Sequence, residues 1–388
     1  MENKKFETQA IRAQMERSQN NEHSAPLYLT SSFVFDTAEE MRAAFNDESD
    51  DFIYSRYSNP NVNEFVNKVS ILEHAEAGVA YASGMAAIYT TFMALLKSGD
   101  HIISCSSVFG ATHALFTKYF PKLNISHSYF NTNNVSEIEK LIKPETRFIY
   151  LETPTNPAIE LIDLELVNTI AKKHKLLFIV DNCFATPYLQ QPIKYGADLV
   201  VHSATKYMDG QGRVLGGITV GKKELINDIY LFGRLTGPSL SPFNAWNLSK
   251  SLETLALRMD RHCENALHIA KALEGNSKLE NVSYPFLPSH PNYNIAKKQM
   301  KAGGGIITIT VKGGYEAAKQ FLDKLQMIKI SPNLGDARSI ATHPASSTHC
   351  KLSEEERKTV GITPGLIRIS IGLENKEDIL NDILQALN

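Results

Sequence analysis

Cysteine is scarce and scattered. Cys105, Cys183, Cys263 and Cys350 are the four in the chain, and no two are close enough to form a CxxC pair. That spacing excludes a zinc ribbon, a dithiol redox motif and a disulfide scaffold, and it suits a reducing, cytoplasmic location. Long apolar runs are absent too: nothing approaches the roughly 18–20 residues that a membrane span needs. The opening MENKKFETQAIRAQMERSQNN has no apolar core of a leader. An excess of either charge is also lacking, with 40 Lys plus Arg against 42 Asp plus Glu and a net charge of −2. A basic field for nucleic acid or anionic lipid is therefore not expected. Trp246 is the one tryptophan, and with Phe243 it is too little for base stacking and is expected to fill a contact between domains. What is present is 43% hydrophobic and 21% charged residues over a length of 388, an ordinary globular composition that can bury a large core in two or three domains.

Residues 1–58 lack clean periodicity and read as an extended arm that packs on a partner. From Gly78 onward, short apolar or β-branched runs (GVAYA, HIISC, NISHSYF, RFIYLE, LLFIVD, DLVVHS, LGGITVG) alternate with amphipathic stretches such as Met85–Leu96 and Leu164–His174. This pattern predicts an α/β domain over 59–255 built on a mostly parallel sheet with both faces covered. A polar, hinge-like TGPSLSPFNAWNLSKSLE precedes a predicted helix at about Leu252–Leu273. A smaller C-terminal α+β domain over 256–388 then carries the strands GGGIITITV and LIRISIGLE.

Three motif-like runs carry little. GGITVGKK has most of a P-loop but continues with Lys223 where Ser or Thr is required, and it reads as a strand. The GxG in DGQGRVLGG neither follows a strand closely nor opens a helix. His343, His349 and Cys350 have no familiar zinc spacing, so hydrogen-bonded loop histidines, and no metal, are expected.

Three other positions gain weight together. Asp181 directly follows LLFIV, which places a carboxylate at a buried strand tip, where desolvation is costly unless a cation meets it. Lys206, in HSATKY after the strand DLVV, occupies the tip of a neighbouring strand between small hydroxyl residues. Ser83-Gly84 opens a helix straight after a strand, and its free N–H groups form a phosphate seat. Each has an ordinary explanation alone: a turn cap, a solvated lysine, a helix cap. Together they are what pyridoxal phosphate requires: a phosphate seat, an imine-forming amine and an acid that keeps the ring nitrogen protonated. The displaced lysine then serves as a local proton carrier.

YSRYSNPN from Tyr54, ASGMAA from Ala82, ETPTNP from Glu152, VDNCFATP from Val180, HSATKY, HPASSTH from His343 and IRISIGLE from Ile367 carry a specific resemblance over most of the chain. The sequence resembles the Cys/Met-metabolism pyridoxal-phosphate enzymes, which include the cystathionine synthases and lyases, methionine γ-lyase and the homoserine-ester sulfhydrylases. The resemblance implies the aspartate-aminotransferase-like (type I) fold and a homotetramer of two active dimers. It makes Lys206 the imine lysine and Asp181 the pyridinium partner, and sets Ser83, Gly84, Met85, Ser203 and Thr205 around the phosphate. Tyr54 and Arg56 would reach that phosphate from a neighbouring subunit. Arg368 would bind the substrate α-carboxylate with its guanidinium fork, with Asn156 and Asn333 also at the substrate. An internal salt bridge is the ordinary alternative for Arg368.

Phe109 stands where the lyases carry a ring-stacking tyrosine, which keeps the aromatic face but removes a phenol able to move protons. The stretch DGQGRVLGG resembles that of O-succinylhomoserine sulfhydrylases, and Asn333 stands where several relatives have serine. The implied reaction is γ-replacement: Lys206 removes the Cα proton, a Cβ proton and the γ-ester carboxylate leave, and sulfide attacks Cγ to give homocysteine. The substrates are then an amino-acid ester and sulfide. Arg213 is a candidate partner for a distal succinyl carboxylate, with a salt bridge as its ordinary alternative. The competing activities are O-acetylhomoserine sulfhydrylase, cystathionine γ-synthase and methionine or cystathionine γ-lyase, and more remotely a cofactor-free scaffold.

Overall fold

The computed structural model describes residues 3–350 and 353–388. The apolar runs form a seven-stranded sheet: β1 (Ala77–Tyr81), β2 (His101–Cys105), β3 (Ser126–Phe130), β4 (Thr146–Glu152), β5 (Leu177–Asp181), β6 (Leu199–Ser203) and β7 (Gly217–Gly221), ordered β1-β7-β6-β5-β4-β2-β3. The pairs from β3 through β6 are all parallel, whereas β7 runs antiparallel to both β6 and β1. The physical reason lies in the connection: residues 204–216 contain no helix, and a parallel return requires a crossover element. Helices such as Gly84–Leu95 and Leu164–His174 supply those crossovers elsewhere and cover the sheet. Strands β4 to β6 are buried almost throughout, and Phe148 and Phe178 are fully enclosed. Each such phenylalanine contributes on the order of 2–3 kcal/mol to holding helices against sheet.

The second core lies C-terminal, around a five-stranded sheet ordered β10-β11-β12-β9-β8. Its members are β8 (Leu279–Ser283), β9 (Ile306–Val311), β10 (Lys329–Ile330), β11 (Ile340–Thr342) and β12 (Leu366–Ser370). The helices Leu255–Leu273, Gly314–Lys324 and Lys376–Leu387 pack against it.

Two expectations about local structure change. The arm contains short helices, Phe6–Arg12 and Ala38–Phe45, the second started by a capping box between Thr37 and Glu40. The polar stretch before the C-terminal unit is largely the helix Pro242–Leu252, and the long helix after it begins at Leu255 rather than Leu252. Ser241 caps that first helix by accepting from the Asn244 N–H at 3.2 Å, and Pro242 occupies its first turn, a start signal that polarity obscured. Trp246 donates to the Ala25 carbonyl at 2.9 Å, tying the arm to this helix rather than joining two domains.

Candidate active site

Parallel pairing sets two acids side by side. β4 ends at Glu152 and β5 at Asp181, and these two residues are paired in register. β6 ends next to them at Ser203, and Lys206 follows in the turn, its N–H donating to the Ser203 carbonyl at 3.2 Å. A cavity of about 240 Å³ opens over these strand ends, and Asp181, Ser203, Thr205 and Lys206 line it. Ser83, Gly84 and Met85, at the start of the helix Gly84–Leu95, form one wall, and Phe109 forms another. Asn156 and Arg368 complete it from the side of the smaller sheet.

The helix start sits against β6 because residue 84 is glycine. A Cβ there would lie 2.6 Å from the Ser203 Cβ, so any side chain would push the helix off the strand. Ser83 Oγ accepts from the Ala86 N–H at 3.1 Å, and Ser83, Gly84 and Met85 at this helix start line the cavity, a position suited to an anion.

Lys206 is held rather than solvated. Its Nζ donates to Asn333 Oδ1 at 2.6 Å, and burial, reinforced by the charge of Arg368, pulls its pKa below the usual lysine value. Asn333 does not itself line the cavity, but its neighbours Pro332 and Leu334 do. Arg368, 2% exposed, donates through Nη1 to Asn156 Oδ1 at 2.9 Å and through Nη2 to the Pro332 and Asn333 carbonyls at 3.0 Å. Its partners are neutral, so the charge is not balanced by an ion pair. Its Nε is buried without a hydrogen-bond partner, leaving a donor for an incoming carboxylate.

Asp181 accepts from the Cys183 N–H at 3.0 Å and from the Tyr150 hydroxyl at 3.4 Å. Burial pushes its pKa up, opposed by these contacts and by the charge of His202. Glu152 accepts from the Phe109 N–H at 2.9 Å, and burial plus the adjacent Asp181 carboxylate push it well above the usual range. Two neighbouring buried carboxyls do not both ionise readily, and burial raises both.

Arg213, Tyr54 and Arg56 lie outside this cavity's lining. Arg213 is an ordinary salt-bridge residue: it meets Asp209 Oδ1 through Nε and Nη2 at 3.1 and 2.9 Å and Ser251 Oγ at 2.5 Å, outside the cavity lining. This is the salt bridge expected as its ordinary alternative. Arg56 lines a separate surface cavity, where it bonds the Arg234 carbonyl and its guanidinium packs over the Tyr57 and Tyr54 rings, so neither Arg56 nor Tyr54 stands at this chain's own cavity, as residues expected to serve a neighbouring subunit would not. His343 is hydrogen-bonded through both nitrogens, to Ser346 Oγ and the Pro364 carbonyl, each at 2.8 Å. Glu152 is the site residue that sequence reasoning passed over. The signal existed, since RFIYLE ends in an acid after an apolar strand just as LLFIVD does.

A family model described as Cys/Met metabolism PLP-dependent enzyme matches residues 7–388. An O-succinylhomoserine sulfhydrylase of Pseudomonas aeruginosa is 44% identical, covering 100% of this chain and 96% of its own length. An L-methionine gamma-lyase of Fusobacterium nucleatum is also 44% identical, covering 93% and 92%. Among solved structures, a putative O-acetylhomoserine (thiol)-lyase from Campylobacter jejuni superposes with a TM-score of 0.95 at 35% identity, covering 99% of this chain and 100% of that one. That structure carries an N′-pyridoxyl-lysine-5′-monophosphate. The residues here fit pyridoxal phosphate: a helix start for an anion, a buried amine for an aldehyde, and a buried acid with no lysine or arginine partner for a ring N–H⁺.

Proposed function

This chain belongs to the Cys/Met-metabolism, pyridoxal-phosphate-dependent enzyme family and has its type I fold, and from that premise we propose that it exchanges the acyloxy group of O-succinylhomoserine for sulfide, giving homocysteine. When bound, pyridoxal phosphate supplies an electron-poor ring that accepts the charge left as a Cα proton departs. The helix start at Ser83-Gly84, with Met85, Ser203 and Thr205, seats the phosphate, and Asp181 holds the proton on the ring nitrogen. Phe109 covers the ring face. Arg368, braced by Asn156 and by the Asn333 carbonyl, fixes the substrate α-carboxylate. Lys206 Nζ, steered by Asn333, moves protons at Cα and Cβ, a task suited to an amine whose pKa burial has lowered.

The observation that carries the reaction type is that the cavity wall beside Lys206 is Phe109, and that no tyrosine lines the cavity among the described residues. An alkylthiolate leaves readily only with a proton donor, whereas succinate leaves as a stable carboxylate without one. A wall that is phenylalanine rather than tyrosine at this position therefore favours ester substrates over methionine. The acyl group rests on relatedness to the P. aeruginosa sulfhydrylase. The equally similar F. nucleatum lyase supports γ-elimination as the second reading.

The test offers O-succinyl-, O-acetyl- and O-phosphohomoserine with sulfide or cysteine, and methionine alone. The succinyl ester with sulfide is expected to give the largest kcat/KM, by about tenfold or more. Faster release of methanethiol and ammonia from methionine would establish the lyase instead. Arg368→Leu is expected to raise KM for every amino-acid substrate by about 30- to 150-fold, the loss of a charge-assisted carboxylate contact of about 2–3 kcal/mol. An unchanged KM would place the α-carboxylate elsewhere. We also infer that the arm packs on a second copy, since Val34 is 96% and Leu29 65% exposed in the single chain.

A further inference from the structure

The chain segment that carries Lys206 is gripped at two places, and the reaction as described uses only one of them. Residues 204–209 make close to one helical turn after β6: the Asp209 N–H donates to the Ala204 carbonyl at 3.0 Å, and the Gly210 N–H to the Lys206 carbonyl at 2.8 Å. A turn that stops there leaves its last carbonyls without backbone donors. Those of Tyr207 and Met208 are taken by Arg258, through Nη1 at 2.6 Å and Nη2 at 3.3 Å. Nη2 also donates to the Ser251 carbonyl at 2.9 Å, and Nε to the Thr254 hydroxyl at 3.4 Å. Glycine at 210 is what lets the guanidinium in: its φ is +70°, and a Cβ there would overlap Arg258 Nη1.

Arg258 is 7% exposed and stands in the first turn of the helix Leu255–Leu273. Both placements cost a cation stability, since burial strips its water and a helix start already carries partial positive charge. Its hydrogen-bond partners among the described residues are three carbonyls and one hydroxyl, with no carboxylate. Asp209 favours its charge without touching it, being paired with Arg213. The place of Arg258 is therefore explained by the carbonyls at the end of the Lys206 turn, which a planar fork can span together. The second grip comes from the segment after Pro332. Asn333 Oδ1 holds Lys206 Nζ at 2.6 Å, and the Ala337 N–H donates to the Gly210 carbonyl at 2.8 Å. One grip thus holds the amine and the other the backbone that carries it.

We propose that Arg258 is a positioning residue for Lys206: by clamping the carbonyls of the two residues that follow the lysine, it fixes the point from which the amine reaches cofactor and substrate. The proposal rests on the assignment of both tasks, tether and proton carrier, to Lys206. An amine that serves Cα and Cβ in turn needs a side chain free to swing and a backbone that stays in place. A displacement of about 1 Å at a reacting group costs on the order of 100-fold in rate. Arg258 is not part of the cavity lining, so it acts through the turn alone.

The test compares Arg258→Met, Arg258→Lys, Ile269→Ala and Lys206→Ala. Methionine keeps an apolar stem and removes the fork. Arg258→Met is expected to lower kcat by about 30- to 100-fold with KM for the ester within about twofold. Growth of the visible band when pyridoxal phosphate is added to the apoenzyme should slow by about tenfold or more, because the same amine performs that step. Arg258→Lys keeps the charge but cannot span several carbonyls; it should lose about tenfold in both, and it carries the test if Arg258→Met does not fold. Ile269→Ala is the control for stability, a fully buried position in the smaller core on the same helix, about 16 Å along it from Arg258. It should lower the unfolding temperature yet leave kcat and band growth within about twofold. Wild-type kcat and band growth in folded Arg258→Met, or in Arg258→Lys if only that variant folds, would overturn the proposal. So would equal losses in Ile269→Ala at an equal drop in unfolding temperature. If Lys206→Ala keeps turnover and the visible band, the assignment of Lys206 fails, and the positioning role with it.

Discussion

Turnover by a Lys206→Ala variant is expected to fall by about a thousandfold or more, with the protein still folded. General acid–base catalysis by one placed group contributes about 10²–10⁴-fold, and the same amine is proposed to anchor the cofactor. The other ionisable groups lining the cavity are poor substitutes. Arg368 stays protonated although burial pulls it down to about 10. The Cys183 thiol is pushed far up by burial, and Glu152 is engaged by the Phe109 N–H. Asp181 is committed to the ring. Single-turnover measurements on the purified variant, with a small primary amine added in solution, separate the two tasks of Lys206. Added amine should restore part of the proton transfer but not the tether. Residual activity within about tenfold of wild type, without added amine, would require another base.

Asp181→Asn is the second large effect, with kcat expected to fall by about 10²–10³-fold while KM changes little. Asparagine has nearly the same shape and can keep the 3.0 Å contact from the Cys183 N–H. What it loses is charge, and with it the means of holding a proton on the ring nitrogen. A charged acceptor strengthens a hydrogen bond roughly twofold over a neutral one, and in a buried site that difference is felt in full. Steady-state kinetics with the absorption spectrum of the bound cofactor provide the check. A variant with wild-type kcat would show that the ring gains its electron demand from some other group.

Much of this site was legible because strand ends are legible. LLFIV followed by Asp181, and DLVVHS followed by Lys206, place acid and amine on neighbouring tips without any knowledge of contacts, and the structure puts both on one cavity. Ser83-Gly84 was legible as a strand-to-helix junction. The hydrogen bond from Lys206 to Asn333 was not, because it joins two sheets across a long sequence separation that no local pattern encodes. Glu152 was passed over although it obeys the rule that identified Asp181; a second acid beside the first looks redundant until their like charges are considered. The salt bridge open to Arg213 was legible too, since Asp209 stands four residues earlier and pairs with it locally.

The most direct measurement is reduction of the coloured holoenzyme with borohydride, followed by proteolysis and mass mapping of the pyridoxyl label. The account predicts bleaching of the visible band and a single labelled side chain, Lys206. Label on any other lysine, or bleaching without a stable adduct on the peptide containing Asp181-to-Lys206, would contradict it.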